Sequence, residues 1–205
     1  MTLKLPNLFA DSLFRDMLTH LAGQGDILGV YMGSLLPIHI LKTKESRMCI
    51  SHFGHGITIG SEMSGGINDV RIWNCDMGNS KYGVEIKATK KRGGYVKNVC
   101  VSHSKVCRIL MHSVGYNDDG EAAPEAPVFK DCVFENMHIT ACQLNSEGEC
   151  EFCEAIELSG FDIPGHFIKN VKFKNIVIDN NCYSRKQSIS LQCCEGVSFE
   201  NISCR

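Results

Sequence analysis

Hydrophobic and polar positions alternate along this chain in short runs with period two, and the runs recur in register. A seven-residue pattern begins with a polar or turn residue, then alternates apolar positions with unrestricted ones. It closes on Asn or His followed by a small or apolar residue. It starts at Arg47, Asp69, Asn98, Asp131, Asn170 and Gly196, so successive copies lie 22, 29, 33, 39 and 26 residues apart. Between copies runs a second short alternation: Ile57-Thr58-Ile59, Val84-Glu85-Ile86, Ile109-Leu110-Met111, Ile156-Glu157-Leu158 and Ile189-Ser190-Leu191. Period two predicts strands, and no helical stripe competes with it over this part of the chain.

A repeat in which every unit keeps the same polar and apolar positions predicts a solenoid, because equivalent positions stack coil on coil. Asn74, Asn136, Asn175 and Asn201 occupy one pattern position. They predict a turn column in which each amide hydrogen-bonds to its counterpart on the next coil. Six coils at the strand spacing of about 4.8 Å would make a rod roughly 30 Å tall. The unequal spacings predict turns of different length, and such loops are where a cleft is built.

The ends read differently. Apolar residues at 8, 9, 13, 14, 17, 18, 21 and 22, with Asn7 or Asp11 as N-cap, predict an amphipathic helix ending near Gly23, which either covers one end of the solenoid or packs elsewhere. The expected organisation is an N-terminal segment over 1–45, with the capping helix and apolar strands, then a β-helix over 46–205. The last pattern copy runs up to Arg205, and an exposed coil end there would allow self-association.

Composition narrows the picture little. A formal net charge of −2 gives no overall field for nucleic acid or a membrane surface, so neither is expected as a partner. No basic, then apolar, leader stands at the N-terminus, which points to the cytoplasm, or to secretion or the periplasm if the N-terminus is truncated. Twelve cysteines are many. Cys75, Cys100 and Cys132 fall inside strand patterns, where a free thiol acts as a small buried hydrophobe. Cys150 and Cys153 form a CxxC and Cys193 and Cys194 are adjacent, which is not a zinc spacing, so no metal is expected and disulfides only in an oxidising compartment. Glu147, Glu149, Glu151 and Glu154 read as a solvated acidic loop, and Asn117-Asp118-Asp119-Gly120 as an exposed turn.

The run from Gly54-His55-Gly56 through Gly66, followed one coil later by Glu85-Ile86-Lys87, resembles glycoside hydrolase family 28, the polygalacturonases and their relatives. The resemblance covers roughly 46–205. It implies a right-handed parallel β-helix, an inverting glycosidase with no cofactor, and a pectic polysaccharide or oligogalacturonide as partner. His55 matches the family's histidine beside the catalytic carboxylates, its flanking glycines keeping the site open to a sugar ring. Lys87 matches the lysine that pairs with the galacturonate carboxylate, and Tyr116 lies where a tyrosine stacks on substrate. The family's arginine position holds Glu85, reversing a charge, with Lys90, Lys91 and Arg92 close by as either compensating charge or a solvated basic turn.

Inversion requires one carboxyl group to protonate the leaving oxygen and another to activate water. The family takes its aspartates from Asn-Thr-Asp and Gly-Asp-Asp motifs. The first is absent from this chain, and the candidate for the second is Gly25-Asp26 followed by Ile27. Asp26 is therefore the one upstream carboxylate assigned to catalysis beside His55. Three expectations follow: a shortened or divergent hydrolase, a noncatalytic β-helix that binds acidic sugar, or a structural module.

Overall fold

The computed structural model describes residues 56–61, 63–115, 120–145, 147–179 and 188–205. The expected N-terminal helix and the first pattern copy, at 47–53, lie outside them. Among the described residues every element is a strand, and they wind into a right-handed parallel β-helix.

Each coil contributes to two walls. The first is a five-stranded sheet of β1 (Ile57–Ile59), β4 (Val84–Ala88), β7 (Ile109–Ser113), β11 (Ile156–Ser159) and β13 (Ile189–Gln192), in that order and parallel throughout. These strands contain the five short alternations of the sequence. Ile57, Val84, Ile109, Ile156 and Ile189 pair in one row.

The second wall is built on β2 (Ile67–Trp73), β5 (Tyr95–Ser102), β8 (Val128–Ile139) and β12 (Ile168–Ile178), with β14 (Cys194–Glu195) and β15 (Ser198–Cys204) on the far side of β12. Short β3 (Asp76–Met77) and β6 (Lys105–Val106) continue the coil beyond a corner, β6 pairing with the end of β8. The core lies between the walls. Ile59, Ile86, Met111 and Leu158 face Ile72, Val101, Phe134 and Phe173 across an interior in which all eight are at most 3% exposed. Phe134, Phe173 and Phe199 stack with ring centroids 5.2 and 5.1 Å apart.

Two corners repeat on every coil of this second wall. Asn74, His103, Asn136, Asn175 and Asn201 all have positive φ, between 49° and 56°. Asn201 donates to Asn175 at 3.0 Å and Asn175 to Asn136 at 2.8 Å, while the Asn136 amide meets the His103 ring at 3.3 Å. Asparagine tolerates the left-handed region because its side chain bonds locally, and here it also links coils, as the pattern predicted.

Five residues before each corner residue sits another left-handed position: Asp69, Asn98, Asp131, Asn170 and Gly196, with φ from 54° to 65°. Asn170 donates to Asp131 at 3.0 Å. The pattern marks these only as polar or turn residues, yet they form a second column of bends.

The longest spacing holds an antiparallel hairpin of β9 (Cys142–Leu144) and β10 (Cys150–Phe152), closed by a Cys142–Cys150 disulfide. Of the two CxxC cysteines, Cys150 bonds across the hairpin to Cys142, while Cys153 is a separate buried thiol. Cys75 and Cys132 are buried as expected, and desolvation raises their thiols to about 11 and about 12. Cys100 is only partly buried, because it falls between the inward-facing Val99 and Val101.

Candidate functional site

On the first wall the same alternation that turns Val84, Ile86 and Ala88 inward turns Glu85 and Lys87 outward. The register then sets Thr58 of β1 beside Glu85, and His112 of β7 beside Lys87. These four side chains form one group. Thr58 Oγ1 donates to Glu85 Oε2 at 3.0 Å, Lys87 Nζ pairs with the same oxygen at 3.2 Å, and His112 Nε2 donates to Glu85 Oε1 at 2.9 Å.

Glu85 is 2% exposed, whereas the side chains of Lys87 and His112 are 13% and 22% exposed. The carboxylate is therefore the floor of the group, and the lysine and histidine form its accessible rim. Both carboxylate oxygens are engaged, which compensates the cost of burying the charge. A carboxylate held this way serves as a fixed counter-ion rather than a mobile proton donor.

A second charged group lies further along the same wall. Arg108, 7% exposed, pairs with Glu157 through a short contact, reaches Glu154 at 3.5 Å and donates to Gln143 Oε1 at 3.2 Å. Glu157 stands in the outward column of Thr58, Glu85 and Leu110. Glu154 thus differs from the solvated loop expected for the acidic run, because Arg108 holds it against the wall. Glu147, Glu149 and Glu151 are exposed.

Gly56, Gly83 and Arg108 precede equivalent strand positions on successive coils. A Cβ on Gly56 would come within 2.2 Å of the Gly83 carbonyl oxygen, and one on Gly83 within 2.4 Å of the Arg108 carbonyl oxygen. The glycine after His55 is thus demanded by the close approach of neighbouring coils, a structural reason distinct from the openness to a sugar ring expected for it. Gly60, at φ 100°, bends the chain after β1, and its Cβ would fall 1.9 Å from the Lys87 carbonyl oxygen.

Of the residues singled out in the sequence, Lys87 lies in this group. His55, Asp26 and Tyr116 lie outside the described residues, as do Asn117, Asp118 and Asp119. In the basic turn after β4, Lys91 donates to the Gly120 carbonyl at 3.2 Å. Thr58 and His112 were missed in the sequence. The signal was there: aligning Val84-Glu85-Ile86 with Ile109-Leu110-Met111 and reading one residue further pairs Lys87 with His112.

A family model for the glycosyl hydrolases of family 28 matches residues 23–163. The chain belongs to that family. A probable polygalacturonase of Vitis vinifera is 36% identical over 104 residues, an alignment covering 45% of this chain and 21% of the grape protein. The hyperthermoactive exopolygalacturonase of Thermotoga maritima superposes with a TM-score of 0.54 at 22% identity, over 73% of this chain and 30% of its own. The family 28 exopolygalacturonase of Yersinia enterocolitica gives 0.50 at 19% identity, over 73% and 28%. At those identities the two solved structures speak to the fold alone. This family 28 chain spans about a fifth of the grape relative and less than a third of either enzyme of known structure.

Proposed function

We propose that this chain is a pectin-contacting stretch of a polygalacturonase-type glycosidase, which holds the galacturonan chain on its first wall and does not hydrolyse it unaided. The observation that carries this reading is the family match over 23–163, a range that includes Gly54-His55-Gly56 and the strand bearing Lys87. In this reading Lys87 and His112 meet the sugar, and His55 and Tyr116 keep the substrate roles that the family resemblance implies for them. Ammonium and imidazole donors at a partly exposed rim suit oxygen-rich rings.

The inability to turn over follows from the carboxylates. Inversion sets two of them roughly 6.5–9.5 Å apart around a water, and the chain contains no Asn-Thr-Asp and follows Gly25-Asp26 with isoleucine. Asp26 alone would not both protonate the leaving oxygen and activate water. The chemistry of the family would need acids from outside this stretch.

Affinity electrophoresis in gels containing partially esterified pectin tests the binding, and reducing-sugar release tests the chemistry. The expected result is retardation that weakens in Lys87→Met, with reducing sugar no higher than in a buffer control. Robust release that disappears in His55→Ala would overturn the unaided-inactivity reading. Absence of retardation would overturn the pectin contact.

A further inference from the structure

We propose that Glu85 sets the charge preference of this wall, so that it accepts esterified, neutral galacturonate units in preference to the free acid. The inference rests on the pectin-contact reading and specifies which form of the sugar the contact takes. A lysine offered to a uronate would ordinarily meet the ligand's carboxylate. Here the protein's own carboxylate already stands on it, with Glu85 Oε2 3.2 Å from Lys87 Nζ. Thr58 and His112 hold that carboxylate in place from the two neighbouring coils, so it does not swing aside as an exposed glutamate would.

The charges within the two groups point the same way. In the two groups on this wall, Lys87 and Arg108 stand against Glu85, Glu154 and Glu157. Carboxylates therefore outnumber the permanent cations. Leu110, paired between Glu85 and Glu157 in the outward column, adds no charge. A free uronate would bring another negative charge beside a lysine that is already neutralised, and like charges juxtaposed at an interface oppose binding. A methyl ester removes that charge and keeps a carbonyl oxygen, which accepts from the Lys87 protons not directed at Glu85. Specificity of this kind comes from a repulsive element built into the site, not from an extra attraction.

The test is calorimetric titration of the whole chain with hexagalacturonate, as the free acid and as the fully methyl-esterified form, at low and moderate salt. The wild-type chain is expected to bind the ester about tenfold more tightly than the acid. Glu85→Gln keeps an acceptor for Thr58 and removes the charge. It is expected to strengthen free-acid binding about tenfold, with a new salt sensitivity, and to leave ester binding within about threefold. Equal or tighter binding of the free acid by the wild-type chain would overturn the inference while sparing the pectin contact. So would an unchanged acid-to-ester ratio in a folded Glu85→Gln chain. If that variant does not fold, the wild-type ratio decides alone. Binding of neither form would remove the pectin contact and this inference together.

Discussion

The asparagine corner and the Glu85 group solve the same problem with opposite means. Both tie neighbouring coils together through polar side chains, the first at 2.8 and 3.0 Å and the second at 2.9 and 3.0 Å. At the corner four of the five described coils carry asparagine and one carries His103, and the ladder lies exposed. In the Glu85 group four different residues meet once, over a carboxylate that is 2% exposed. A position that repeats is answering the geometry of stacking, which is the same on every coil. A buried charge that does not repeat answers something local, and here it lies on the strand that carries Lys87.

The sharpest way to break that contrast is in the repeating aromatic column. Phe173 is 1% exposed and stacked on both sides, so Phe173→Ala should destabilise by about 3–5 kcal/mol, measured by denaturant unfolding. A loss under about 1 kcal/mol would mean that the column does not hold the coils together.

The corner should cost less. Asn175→Ala removes both ladder bonds and puts a Cβ without a local hydrogen bond at φ 52°. A loss of about 1–2 kcal/mol is expected, with Asn175→Gly recovering part of it because glycine bears no penalty there. If alanine and glycine behave alike, the left-handed backbone is not what asparagine is chosen for.

The smallest effect belongs to Cys132, which pairs in register with Val99 and Val171. Cys132→Val should change stability at pH 7 by less than about 1 kcal/mol. At higher pH the two chains should part. An unfolded thiol ionises near 9.0, while burial raises the folded one to about 12, so the unfolded state loses its proton first. The thiol's contribution is then complete below pH 9 and declines as pH rises toward 12. Relative to the valine chain, the loss at pH 10 should be on the order of 1 kcal/mol in denaturant melts. Parallel pH profiles would show that this thiol is not excluded from water.

Much of the architecture was legible because a stacked coil writes its period into the chain. The rows Ile57, Val84, Ile109, Ile156, Ile189 and Ile72, Val101, Phe134, Phe173, Phe199 pair in the structure as they align in the repeat. Asn136, Asn175 and Asn201 form the ladder their spacing suggested. The second corner was less legible, since aspartate, asparagine and glycine share a tolerance for positive φ and not a single identity. The Cys142–Cys150 bond was not legible, because the hairpin that brings the two cysteines together lies between copies of the repeat and does not follow its period.

Local alternation and a linear motif were enough for the main strands of both walls, their coil register, the inward rows and the family resemblance. The same motif also marked Lys87 and the reversed charge at Glu85. That these two residues neutralise each other, with Thr58 and His112 completing the group across neighbouring coils, emerges only from the folded coils. So does the reason that Gly56 is glycine, since the next coil leaves no room for a Cβ. The physical reason is the same in both cases. Alternation says which way a side chain points, whereas distances between coils say which side chains meet and how close two backbones come.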